Sequence, residues 1–180
     1  MPQIAELGHV GLFVNDLERS RKFYTEMLGL HVTDEEPNIG MVFLSSRPDH
    51  EHHELLIVAG RDVPPGHKWV QQVSFRCPTL EDVLEYYKRF VAEGVPIQMA
   101  ITHGNAVGVY FEDPDGNTAE VYWATGIDAP QPFLEHLDFT QSPDELIKKV
   151  REVVAASAGA SDTLMAEMAR QGVTSPRRGS

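Results

Sequence analysis

Cysteine is almost missing from this chain: there is one, Cys77, in 180 residues. A disulfide within the chain is therefore excluded, and the core has to stand without covalent staples. Basic residues are scarce as well. Against 27 Asp and Glu there are 15 Lys and Arg, a formal net charge of −12, which argues against nucleic acid or an anionic membrane surface as a partner. No apolar run approaches the length needed to cross a bilayer. The opening MPQIAELGHV has neither the charged head nor the long apolar stretch of a secretory signal. These absences predict a soluble protein of the reducing cytoplasm. Hydrophobic content of 42% and charged content of 23% fit a globular domain rather than a disordered chain. Cys77 falls in an apolar strand, so a buried, inert thiol is expected.

What the chain does have is a pattern written twice. His9 opens GHVGLFVNDL, which runs into ERSRKFYTEMLGL, and sixty-three residues further on Gln72 opens QQVSFRCPTL, which runs into EDVLEYYKRFVAEGV. The first stretch of each copy alternates with a period of two, as a strand does, and the second carries a helical stripe. In the first copy Asn15 with Glu18 reads as a capping box, and Leu17, Tyr24, Met27 and Leu28 form the stripe up to Gly29. In the second copy Thr79 with Asp82 caps a helix whose apolar face is Leu80, Val83, Leu84, Tyr87 and Val91. Strand candidates HVTDE, MVFLSS and HELLIVA complete the first copy, and PIQMAIT, AVGVYFE and TAEVYW the second, with Asp115-Gly116 as a hairpin turn. Each half is thus predicted as strand–helix–strand–strand–strand, and a duplicated unit of this kind places its copies across a shared site.

The repeat stops near residue 125. DAPQPFLEHLDF reads as an extended arm, Ser142 with Glu145 caps a helix over Pro143–Ala156, and a further helical segment is expected around 164–170 before a frayed VTSPRRGS. Whether this tail packs on its own domain or reaches a second subunit stays open.

Parity locates the chemistry. If Val10, Leu12 and Val14 face the helix, His9 faces the other way, and the same argument turns Gln72 away from Val73 and Phe75. Ala119 and Val121 turn Glu120 inward, and Val107, Val109 and Phe111 do the same for Tyr110. Four polar side chains from different strands are therefore expected in one cavity. A His, a Glu and a neutral third donor suit a hard-to-borderline divalent metal, and two His with one carboxylate is the usual non-heme iron arrangement. Here an amide, Gln72, stands at one His position. Two more features bear on the site: His50, His52 and His53 beside Glu54, and His103 seven residues before Tyr110. A His and a Tyr beside a metal suit proton transfer. Parity leaves both His53 and Glu54 as candidates to face the cavity, because both alternate sets of HELLIVA are apolar.

These motifs together, HVGLFVNDLERSRKFYTEMLGL, HHELLIV, THGNAVGVYF and EDPDGNTAEVYW, resemble the vicinal oxygen chelate superfamily over about residues 5–125. Within it the chain is most similar to single-domain type I extradiol ring-cleaving dioxygenases. The resemblance implies an α+β fold: two tandem βαβββ modules, about 5–60 and 69–125, forming a U-shaped mixed sheet around one cavity. They make up a domain of residues 1–125, with an arm and helical tail at 126–180. It implies a metal, Fe(II) first and Mn, Ni, Zn or Mg after it, on His9, Gln72 and Glu120. His53 takes the place of the proton-transfer residue, and His103 and Tyr110 those that contact substrate and oxygen. A small aromatic diol and O2 are the implied substrates and a homodimer the implied assembly. Gln72 departs from the family pattern, which has a second His there. Glyoxalase I of the same superfamily accepts Gln as a ligand, and a glyoxalase-type lyase or isomerase would use His9, Glu54, Gln72 and Glu120. A metal-free binding module of the same fold is the third reading.

Overall fold

The computed structural model describes residues 7–63 and 70–157. The helical segment expected at 164–170 and the VTSPRRGS end lie outside the described residues. The chain resolves into two compact units. One comprises the described residues up to Gln72 together with Glu112–Thr118, and the other Val73–Phe111 and the described residues from Ala119 onward.

The first unit follows the expected order. Strand β1 (Val10–Val14) leads to helix α1 (Leu17–Lys22), then to β2 (His31–Glu36), β3 (Met41–Ser45) and β4 (Leu55–Ala59). Its sheet has the order β1-β4-β3-β2, with β1 parallel to β4 and the other pairs antiparallel. A parallel pair needs a long crossover, and α1 with the two strands after it supplies one. Leu12, Val14, Tyr24, Leu44, Leu55 and Ile57 are buried, while Gly11 and Phe13 are exposed, as the alternation requires.

Two details depart from expectation. The cap of α1 is Asp16, whose carboxylate accepts from the Arg19 amide; Asn15 instead donates its amide to Asp115. An acidic residue one position later competes for the cap and wins. After six residues the helix widens into a π-helical segment, Phe23–Met27, which buries Tyr24 while the stripe continues to Leu28.

The second unit holds β5 (Val73–Arg76), α2 (Leu80–Glu93), β6 (Ile97–Thr102), β7 (Ala106–Glu112), β8 (Thr118–Ala124), a short β9 (Glu135–His136) and α3 (Pro143–Ala156). The sheet order is β5-β8-β7-β6-β9. Thr79 with Asp82 and Ser142 with Glu145 both form complete capping boxes. The buried face of α2 ends on Phe90 rather than Val91, which is 59% exposed. At helical spacing either residue continues the stripe, and the larger ring takes the place by packing 4.3 Å, centroid to centroid, from Phe111. Cys77 follows β5 directly rather than lying inside it, and it is buried. Burial, with a smaller contribution from the Asp82 charge, pushes its thiol up to about 11.

The arm packs on its own unit. β9 adds antiparallel to β6, extending the sheet to a fifth strand, and Phe139 packs edge-on against Tyr87 at 5.4 Å. Gly104, at φ +76°, lies so close to the arm that an added Cβ would fall 2.4 Å from that of Ala129. No side chain but hydrogen fits there.

Candidate active site

In the first unit the register opposes Val10 to Leu55, and the Val10 amide donates to the Glu54 carbonyl. This brings the residues just before β1 and β4 side by side. The His9 and His53 rings lie 4.2 Å apart, centroid to centroid. The Phe43 ring meets His53 edge-on at 5.1 Å. Burial first, then the neighbouring His9 and His52 rings, hold the His53 imidazole below its ordinary range. The shift favours the neutral ring, the form able to accept a proton.

Glu54 is engaged elsewhere. Its carboxylate accepts from the Ser46 amide, the Ser46 hydroxyl and the Arg47 guanidinium, the last at 2.8 Å. Burial alone would raise its pKa, but the Ser46 and Arg47 contacts outweigh it and the net shift is downward. Of the two neighbours that parity left open, His53 is the one packed against His9. The register adds a second argument against a four-ligand set. Gly11 pairs with Leu56 as Ser74, sixty-three residues on, pairs with Glu120. Leu56, and not Glu54, is thus the repeat partner of Glu120.

In the second unit Ser74 and Glu120 face each other across β5 and β8, and the Ser74 hydroxyl donates to Glu120 Oε2 at 2.6 Å. The Glu120 side chain is buried at 5% exposure. Room for it comes from Gly108 on the adjacent strand, where a Cβ would fall 2.8 Å from Glu120 Oε1. Gln72 sits immediately before β5, as His9 sits immediately before β1.

Tyr110 is buried in a cluster with Met99, Ile101 and Leu134. His103 Nδ1 lies 2.7 Å from the Phe133 carbonyl and its Nε2 lies 3.2 Å from the Tyr110 hydroxyl. A carbonyl only accepts, so Nδ1 carries an N–H, and in the singly protonated ring Nε2 is left to accept from the Tyr110 hydroxyl. The arm thereby takes part: it contributes the carbonyl that sets the His103 tautomer and, through Leu134, one wall around Tyr110.

Of the residues expected at the site, the first unit brings His9 and His53 together and the second pairs His103 with Tyr110. Ser74, Gly108 and the Phe133 carbonyl were not anticipated. Among the described residues no three His, Cys, Asp or Glu side chains gather as a metal cluster. The donor types on His9, Gln72 and Glu120 are imidazole, amide oxygen and carboxylate. Such donors suit a divalent ion of the iron–manganese class, and Glu120 accepts a hydrogen bond from the Ser74 hydroxyl. A recess of about 410 Å³ in the second unit, bordered by Thr79, Trp123, Ile147 and Arg151, contains none of these residues.

Known proteins give the arrangement a context. The chain is 32% identical over 120 residues to a biphenyl-2,3-diol 1,2-dioxygenase of Rhodococcus globerulus, covering 64% of this chain and 61% of that one. It is 27% identical over 124 residues to a manganese-dependent 2,3-dihydroxybiphenyl 1,2-dioxygenase of Geobacillus genomosp. 3, covering 67% of this chain and 37% of that one. The matches therefore span less than two thirds of these relatives' own length. In fold the chain is similar to the fosfomycin resistance protein FosX of Listeria monocytogenes, at a TM-score of 0.56 and 21% identity over 68% of this chain and 94% of that one. Residues 6–121 match the glyoxalase/bleomycin resistance protein/dioxygenase superfamily, and the chain belongs to it.

Proposed function

We propose that the protein is a metal-dependent extradiol-type dioxygenase that cleaves the ring of a catechol-like aromatic. The observation that carries this reading is the His53 imidazole packed 4.2 Å, centroid to centroid, from that of His9. In this reading His9, Gln72 and Glu120 hold the metal, Fe(II) or, as one relative's name suggests, manganese. A divalent ion so held would supply the Lewis acidity that binds a vicinal diol and brings O2 beside it.

The chain's own groups do the rest. His53 takes a proton from a substrate hydroxyl and returns it to the product, a task suited to an imidazole that is neutral at working pH. Tyr110 donates to His103 Nε2 in the resting protein. It can turn that proton toward an oxygen on the substrate as negative charge develops there, while Phe133 keeps His103 in register. The buried cluster around Tyr110 keeps bulk water from that proton. A homodimer in the cytoplasm completes the reading on family resemblance.

The test is metal analysis of anaerobically purified protein, paired with oxygen uptake on a panel of substituted catechols. Bound iron or manganese and a yellow ring-fission product formed mole for mole with O2 are expected. His53→Ala should abolish turnover and keep the metal, whereas Glu120→Ala should lose it and Glu54→Ala should not. No retained metal and no oxygen uptake with Fe(II) or Mn(II) supplied would overturn the proposal.

A further inference from the structure

Beside His53 the first unit carries another histidine, His52, that the reaction outlined above leaves without a task. His52 Nδ1 lies 2.9 Å from His53 Nδ1, with the two rings nearly perpendicular at 88°. Two imidazole nitrogens at that distance share one proton: two bare lone pairs repel, and so do two N–H groups. The proton therefore belongs either to His53, with His52 accepting, or to His52, with His53 accepting.

The other side of His52 decides between them. Its Nε2 lies 3.8 Å from Asp34 Oδ2. A lone pair on Nε2 would face that carboxylate unfavourably, whereas an N–H faces it favourably. In the singly protonated ring, with the N–H on Nε2, Nδ1 is left as an acceptor. His53 must then carry its own proton on Nδ1, and His53 Nε2 is the bare nitrogen.

The arrangement is held by the backbone. β2 carries an extra residue, Thr33, between the pairs Val32–Leu44 and Asp34–Phe43, a bulge of the kind that re-aims a side chain. The freed Thr33 hydroxyl donates to the His52 carbonyl at 2.5 Å. Asp34 Oδ1 accepts from the Glu35 amide at 2.8 Å, which turns Oδ2 toward His52. The Phe43 ring contacts both imidazoles, at 5.4 and 5.1 Å.

We infer that His52 is a positioning residue, polarised by Asp34, that fixes the tautomer of His53 with its proton on Nδ1 and leaves Nε2 as the atom that accepts protons. The inference rests on the proposed dioxygenase reading for its consequence, but the tautomer itself can be read without turnover.

The experiment is ¹⁵N–¹H imidazole spectroscopy of the full chain with diamagnetic Zn(II) in place of paramagnetic ions, with His53 assigned through His53→Gln. In the wild type at alkaline pH, His53 should show a proton-bearing Nδ1 and a bare Nε2. His52→Ala should move His53 toward the Nε2–H form that free histidine prefers in water. His52→Asn, whose amide oxygen stands near the place of Nδ1, should restore the wild-type pattern, and Asp34→Ala should give a mixture. His52 and Asp34 side chains are 55% and 63% exposed, so the variants leave the core intact. Should His52→Ala fail to fold, His52→Asn and Asp34→Ala decide the matter.

In turnover of a catechol, His52→Ala should lower kcat on the order of tenfold with KM unchanged, and His52→Asn should recover it. A wild-type His53 protonated on Nε2, or a tautomer indifferent to His52→Ala, overturns the inference even if the protein is a dioxygenase. The expected spectra without ring cleavage would instead overturn only the dioxygenase reading.

Discussion

The Tyr24 hydroxyl donates to Asp113 Oδ2 at 2.8 Å, joining residues 89 positions apart inside the first unit, and both side chains are buried, at 1% and 4% exposure. Asp113 also accepts from the Asp115 and Asn117 amides and the Asn117 side chain. Tyr24→Phe removes one donor from a buried carboxylate, and a loss of about 1–3 kcal/mol is expected. Urea unfolding should show a lower midpoint with an unchanged slope. An unaltered midpoint would mean that the bond carries no net stability.

The same pair sets a pH dependence. Burial first, then the Asp113 charge and hydrogen bond, raise the Tyr24 phenol well above 10.0. A group whose folded value is raised contributes stability that is complete below its unfolded value, near 10.0, and is lost as pH climbs past it. Wild type should therefore lose stability above that pH more steeply than Tyr24→Phe. Its Tyr24 tyrosinate absorbance should appear only with unfolding. Parallel pH–stability curves for the two proteins would refute this.

Gly108→Ala tests how Glu120 is housed. A Cβ there would fall 2.8 Å from Glu120 Oε1, 3.1 Å from Tyr122 Cβ and 3.2 Å from the Val121 carbonyl. The carboxylate can swing away, but the backbone oxygen and the strand-borne Cβ cannot move freely. Loss of about 1–3 kcal/mol by overpacking is expected, together with weaker metal retention because Glu120 must leave its place opposite Ser74. Calorimetry and metal analysis on one preparation check both, and a variant equal to wild type in each would show that the space around Glu120 is not tight.

Cys77 should resist thiol reagents. With its pKa pushed up to about 11 by burial and by Asp82, roughly one thiol in a thousand is ionised at pH 8. A disulfide exchange reagent at that pH should label the chain in urea and leave the native protein untouched. Rapid native labelling would mean that Cys77 is reachable.

The strand and helix periods were legible because burial enforces them locally. Leu12 and Val14 alternate with Gly11 and Phe13, and both capping boxes of the second unit announce themselves within four residues. Parity also separated Glu120 and Tyr110 from their apolar neighbours. What remained hidden depends on register between distant segments. Nothing near Ser74 marks it as the partner of Glu120, since that follows only from pairing β5 with β8. The Phe133 carbonyl belongs to backbone that carries no sequence signal, and the bulge at Thr33 is invisible in a strand read by alternation alone. The choice between His53 and Glu54 turned on where Ser46 and Arg47 fall, which is a matter of the β3–β4 connection.

The turn Glu112–Thr118 has a bearing on synthesis. It counts with the first unit although the strands on either side of it count with the second. Tyr24 finds its acceptor in Asp113, and Asn15 and Arg19 find theirs in Asp115. The contacts of the first helical segment with Asp113 and Asp115 can therefore form only after residue 115 has been synthesised. Such late closure over 100 positions of sequence makes folding slow relative to local contacts and leaves truncated products exposed to aggregation and proteolysis.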